Sequence, residues 1–276
     1  MRLIVGRTIM SSARHANFNR ALVLSLLMVL MTQVGYLDSM NSLTNGEETL
    51  NESNDVLETG GSSFAYANNK VSASGHLTCA ILDNGDLKCW GDNQFGQLGD
   101  GSNTNTNAPS STAIDLGIGR TAVSVVSGDW HTCAILDNDD MKCWGTGTNG
   151  RLGNGGTSDK TTPVATNTLG SGRTAVDISA GAAHTCAVLD NGDLKCWGSD
   201  AYGQLGTGQG YGYSGTAIDL GTGRTAVAVS AGSFHSCAIL DNGEAKCWGW
   251  NDRGQLGDGG SNTNQGLPVT VSGSNT

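Results

Sequence analysis

The chain is short of proline, aromatic side chains and charge. Of its 276 residues 3 are proline, 5% are aromatic and 14% are charged, where an average soluble domain is roughly a quarter charged. Surface helices need long polar and charged side chains on their outer face, so this composition does not suit a helical bundle. Positive charge is the scarcer sign. Fifteen Lys and Arg stand against 25 Asp and Glu, for a formal charge of −10, which disfavours a polyanionic nucleic-acid partner. No P-loop, dinucleotide fingerprint or Gly-x-Ser-x-Gly elbow is present, so nothing signals nucleotide or acyl-enzyme chemistry. No uncharged run reaches the ~20 residues that cross a bilayer comfortably.

Glycine, in contrast, is abundant, at 42 residues. It has no three-residue period, which excludes collagen. Val, Ile, Leu and Trp return at fixed places, which opposes wholesale disorder.

The first 35 residues read as an export device. Arg2, Arg7, Arg14 and Arg20 precede an uncharged apolar stretch from Ala21 to Val34, near the length of a signal-peptide core. Residues 1–35 are therefore expected to be a helical signal peptide or an uncleaved signal anchor, with Met10 as an alternative start. Either form places the remainder outside the cytoplasm: extracellular, periplasmic, or tethered to the outer side of a membrane, which it touches only through this segment if uncleaved. Residues 36–70, with Glu47, Glu48, Glu52, Asp55 and Glu58, read as a polar acidic linker.

Residues 71–276 contain four copies of one unit, with approximate bounds 71–122, 123–175, 176–226 and 227–276. GHLTCAILDNGDLKCWG from Gly75, DWHTCAILDNDDMKCWG from Asp129, AAHTCAVLDNGDLKCWG from Ala182 and SFHSCAILDNGEAKCWG from Ser233 align through their centres. His76, His131, His184 and His235, 55, 53 and 51 residues apart, are assigned one repeat position. A second signature follows each Trp-Gly: Gly96-Gln97-Leu98-Gly99, Gly150-Arg151-Leu152-Gly153, Gly203-Gln204-Leu205-Gly206 and Gly254-Gln255-Leu256-Gly257. A period near fifty, built from short β-prone runs with glycine punctuation, predicts an all-β propeller. Strands are expected over Val176–Ala180 and its counterparts, then His184–Leu189 and Asp193–Trp197 joined by the Asp-Asn-Gly hairpin. A weaker fourth strand is expected at Pro163–Ala165 or Thr216–Ile218.

This order of motifs resembles the regulator of chromosome condensation repeat family, in its exported, cysteine-paired bacterial form. The resemblance runs from about Val71 to Val271. It implies a binding scaffold, and the exchange of guanine nucleotide on a small GTPase is the alternative it carries. Family rings usually close with seven blades. Four units leave a small closed ring, an arc completed by self-association with another chain, or a truncated product.

The eight cysteines form four pairs with one spacing: Cys79/Cys89, Cys133/Cys143, Cys186/Cys196 and Cys237/Cys247. A three-residue hairpin loop at Asp83-Asn84-Gly85 brings Cys79 opposite Cys89, within disulfide range. With export and an even count, four disulfides inside the units are expected. Zinc at His-x-x-Cys is disfavoured because residues three apart on a strand point to opposite faces. Asp137–Asp140 and Asp100–Asn103 lack the spaced ligand series of a calcium loop. No cofactor and no metal is expected, and no catalytic residue, since a histidine repeated four times reads as a structural group bonded to backbone. Trp90, Trp144, Trp197 and Trp248 are expected between neighbouring blades.

Binding is expected on the irregular loops of this rigid frame. Phe95, Trp130, Tyr202, Tyr211, Tyr213, Phe234 and Trp250 break the repeat pattern, so they are the candidate contacts for a protein or a surface glycan. The function expected from sequence is a noncatalytic exported scaffold.

Overall fold

The structure is a computed structural model that describes residues 70–274, except 209, 211, 213 and 214. The expected signal segment and linker lie outside the described residues. Fourteen strands form four antiparallel sheets. The first holds β1 (Val71–Ser74), β2 (Leu77–Ile81) and β3 (Leu87–Gly91). The second holds β4 (Ala122–Ser127), β5 (His131–Leu136), β6 (Met141–Gly145) and β7 (Lys160–Ala165). The third holds β8 (Ala175–Ala180), β9 (His184–Leu189) and β10 (Leu194–Gly198). The fourth holds β11 (Ala226–Ala231), β12 (His235–Leu240), β13 (Ala245–Gly249) and β14 (Gln265–Thr270). These are propeller blades.

Each blade is organised by its central hairpin. Leu82 N donates to Asp86 O at 2.9 Å, and Gly85 takes a φ of 80°, the left-handed conformation that closes a three-residue loop. Asp139 holds the same turn position in the second blade at a φ of 67°. The resulting register opposes Cys79 to Cys89, Cys133 to Cys143, Cys186 to Cys196 and Cys237 to Cys247, and all four pairs are bridged with Cα atoms 4.0–4.1 Å apart. Among the described residues a fourth strand forms in the second and fourth blades. At Thr216–Ile218 the third blade has a single bridge, Lys195 to Ala217, and the first has Gly91 to Thr106. Pro163 and Pro268 sit on the outermost strands β7 and β14, where a missing N–H disturbs no inner ladder.

The cores lie between blades. Leu77, Ile81, Leu87 and Leu98 of the first blade meet Val125, Ala134, Leu136 and Trp144 of the second. Cys133, Ile135, Met141 and Leu152 of the second meet Ile178, Ala187, Leu189 and Trp197 of the third. Val188, Leu194 and Leu205 of the third meet Val229, Ala238, Leu240 and Trp248 of the fourth. The expected placing of the tryptophans between blades therefore holds for Trp144, Trp197 and Trp248.

Among the described residues, three cores join four blades, and no core joins the fourth blade to the first. Val71 occupies the register position of Val125, opposite Ala80 as Val125 is opposite Ala134, yet Val71 is 67% exposed and Val125 0%. At the other end Ile239 is 43% exposed where Ile135 is 0%. The described residues therefore do not close into a four-bladed ring, one of the arrangements allowed by the repeat number.

Candidate binding face and the joints beneath it

The strand register corrects the assignment of the histidines. Leu77 lies opposite Gly91 as His131 lies opposite Gly145, His184 opposite Gly198 and His235 opposite Gly249. Leu77 therefore takes the histidine position in the first blade, and His76 is an exposed residue one place earlier. Leu77 stands two places before Cys79 as His131 stands two places before Cys133, so His76 matches the other histidines in letter and not in place.

Nor do the histidines bond to backbone. His131 Nε2 lies 2.9 Å from Thr185 Oγ1, whose hydroxyl donates to the Arg151 carbonyl at 2.9 Å. Trp197 Nε1 donates to the same carbonyl at 3.0 Å. One joint later, His184 Nε2 lies 2.9 Å from Ser236 Oγ, and the Gln204 carbonyl receives both Ser236 Oγ and Trp248 Nε1. At the first joint the Gln97 carbonyl receives Thr132 Oγ1 and Trp144 Nε1, with Leu77 in the histidine's place. Because each hydroxyl spends its proton on a carbonyl, Nε2 must carry the imidazole proton. That leaves Nδ1 of His131 and His184 bare and without a partner.

Protonation there would bury an unpaired cation. Burial, followed by the nearby charged and imidazole groups, holds His131 well below its ordinary range and His184 down to about 3. Both are neutral structural groups at neutral pH. Glycine is required above them. A Cβ on Gly181 would stand 2.2 Å from His184 Cε1 and 2.5 Å from the Gly232 carbonyl.

The loops that roof these joints carry the aromatic residues. Asn93 Oδ1 accepts from Leu98 N at 3.0 Å and Asp200 Oδ1 from Leu205 N at 2.9 Å, which pins each Gly-Gln-Leu-Gly loop from within. Gln97 Oε1 and Gln204 Oε1 accept from the backbone N–H of Phe95 and Tyr202. Each aromatic residue is thereby set at the crest of a turn closed by Gly96 N to Asn93 O and by Gly203 N to Asp200 O. Trp130 and Phe234 immediately precede β5 and β12, and Trp250 immediately follows β13.

Five of the seven candidate residues consequently meet in two groups at one end of the blades. Phe95 and Trp130 lie edge to face across the first joint, with centroids 6.4 Å apart. Tyr202, Phe234 and Trp250 form a triangle across the third joint with centroid separations of 5.2, 5.5 and 5.6 Å. Phe95, Trp130 and Tyr202 remain exposed. The middle joint has Asn149 and Ala183 at the corresponding positions. Tyr211 and Tyr213 lie outside the described residues. Among the described residues no three His, Cys, Asp or Glu converge as a metal site, and no helix is long and apolar enough to cross a membrane.

Sequence reasoning missed Arg151. Its buried guanidinium donates from Nε to Thr148 O at 2.9 Å and from Nη1 to Ala182 O at 3.3 Å, stitching the second blade to the third. Its departure from Gln in an otherwise repeated motif was the available signal.

Models of the regulator of chromosome condensation (RCC1) repeat match residues 69–97, 122–151, 175–204 and 226–255, and also 84–135 and 143–188. The chain belongs to the RCC1 repeat family. Its RCC1 repeats are 32% identical over 204 residues to the ultraviolet-B receptor UVR8 of Arabidopsis thaliana, covering 73% of this chain and 46% of the receptor. They are 31% identical over 196 residues to the human E3 ubiquitin-protein ligase HERC2, covering 71% of this chain and 4% of the ligase. Among solved structures, yeast RCC1 (Prp20) bound to Kap60 superposes with a TM-score of 0.60 at 20% identity, covering 73% of this chain and 48% of that one. Prp20p of Saccharomyces cerevisiae, studied for its binding to Gsp1p and histones, gives 0.59 and 50%. These likenesses at 20% identity concern the RCC1 fold. The chain spans about half the length of the receptor and of Prp20.

Proposed function

We propose that this chain is a noncatalytic, exported RCC1-repeat scaffold that captures a protein through the aromatic roof over its first and third joints. The observation that carries the reading is the Tyr202, Phe234 and Trp250 triangle, contributed by two blades, with the Tyr202 loop held by Asp200 and Gln204 and the loop after Trp250 by Asn251, whose Oδ1 accepts from Leu256 N. Large aromatic side chains in preset geometry lose little conformational freedom on binding and dominate protein interfaces. Four cystines suit an oxidising compartment and support export. They weigh against nucleotide exchange on a small GTPase, the alternative, since that partner resides in a reducing one.

The test compares the wild-type chain with a Tyr202→Ser, Phe234→Ser, Trp250→Ser variant as immobilised baits in the native extracellular fluid. Proteins retained by the wild type and lost by the variant support the reading. Identical retention by both overturns it. Recovery of the native chain from the cytosol with eight free thiols would separately refute export.

A further inference from the structure

The two outer flanks of the blade row are the separated halves of the joint used three times inside it. On the leading flank, Val71, Ala80, Leu82 and Trp90 hold the register positions that Val125, Ala134, Leu136 and Trp144 use to enter the preceding blade. Val71 and Leu82 are exposed, and neither Trp90 Nε1 nor Thr78 Oγ1 has a hydrogen-bond partner among the described residues. On the trailing flank the acceptor likewise has no partner among the described residues. Gln255 occupies the place of Gln97, Arg151 and Gln204, whose carbonyls each receive a Trp and a Thr or Ser from the next blade.

The glycine shelf repeats the pattern. A Cβ on Gly99, Gly153 or Gly206 would strike the indole nitrogen of Trp144, Trp197 or Trp248 at 2.6–2.7 Å, whereas Gly257 faces only Val271 at 3.3 Å. Among the described residues the fourth shelf meets no indole, and His235 has no hydroxyl partner in the place where His131 and His184 meet Thr185 and Ser236.

From this complementarity we propose that a second copy of the chain docks head to tail, its leading flank on this trailing flank and the reverse, closing a ring of eight blades. Trp90 Nε1 and Thr78 Oγ1 of each copy then donate to the Gln255 carbonyl of the other, His235 Nε2 donates to Thr78 Oγ1, and Val71 and Leu82 cover Ile239. Eight blades lie within the range that propellers close. Two identical joints related by a twofold axis satisfy both flanks at once, where a single joint would leave each end free to propagate. The occupant is a copy of this chain because the shelf, the carbonyl and the apolar side chains reproduce a joint that the chain already makes with itself. This proposal is independent of the aromatic roof.

The test is the mass of the full chain in solution by light scattering across a concentration series, with Val71→Glu and Ile239→Glu variants. Both sites are exposed, so folding is preserved, and intact cystines with an unchanged circular dichroism spectrum verify it. Wild type is expected at twice 28.3 kDa and each variant at the single mass. Because each joint joins one Val71 to one Ile239, an equimolar mixture of the two variants retains one unmodified joint and is expected to recover the double mass. A monomeric wild type, a series of species beyond two copies, or variants that remain dimeric would each overturn the closed head-to-tail ring. Failure of the mixture to pair would do so as well.

Discussion

The imidazole of His184 makes stability depend on acid in a calculable way. Its folded pKa of about 3 lies below the unfolded value near 6.5. The neutral group's contribution is therefore complete above about pH 6.5 and is lost as pH falls. Integrating the linkage, the unfolded state gains about 2 kcal/mol between pH 7 and pH 5 from this residue. His131, also buried and held well down, acts in the same sense. Asp177 and Asp200, raised by burial, act in the opposite sense, so the difference between variant and wild type, in which they cancel, reads the imidazole. The chain supplies its own replacement, since Leu77 fills the equivalent place with Thr132 Oγ1 still bonded to the Gln97 carbonyl. His184→Leu should cost about 1 kcal/mol at pH 7 for the lost hydrogen bond while removing about 2 kcal/mol of acid sensitivity. The variant should thus be the less stable protein at pH 7 and the more stable one at pH 5. Guanidinium unfolding at both pH values measures this. A His184→Leu protein that keeps the whole wild-type pH dependence would refute the argument.

Three further outcomes concern the joints, the hairpins and the loops. Replacing Cys186 and Cys196 together by Ala opens a loop with a sequence separation of 10 and should cost about 2–3 kcal/mol in the same unfolding measurement. Gly181→Ala forces a Cβ into His184 and the Gly232 carbonyl and should cost more than about 3 kcal/mol. Gly156→Ala, whose nearest neighbour is Asn154 Oδ1 at 3.6 Å, should stay within about 0.5 kcal/mol of wild type. Thermal melting distinguishes the pair.

Blade architecture was legible because hairpin chemistry and cysteine spacing specify one register independently. Asp83-Asn84-Gly85 sets the turn, and Cys79 opposite Cys89 follows from counting along two strands. The histidine error had the opposite origin. Aligned without gaps on the cysteines, Leu77 falls at the place of His131 and His76 one place earlier, and a motif matched on its most conspicuous letter overlooks an offset that pairing with Gly91 makes plain. The aromatic positions were visible as departures from the repeat, but their grouping was not. Tyr202 meets Phe234 across a joint whose width depends on Trp248 and Leu205 filling it. The missing outer strands of the first and third blades were also illegible. The segments after Leu98 and Leu205 pair through single bridges, and β-prone residues alone do not specify how far a ladder extends.

At every joint the hydrogen-bond acceptor is a main-chain oxygen, that of Gln97, Arg151 or Gln204. A carbonyl is supplied by any amino acid, so the side chain at that place can drift without loosening the seam. Arg151 shows the freedom used: its guanidinium took on new bonds to Thr148 and Ala182 while its carbonyl kept the old task. Duplicated blades can diverge in this way and still recognise one another, which lets a modular protein acquire variety at its rim without redesigning what holds it together.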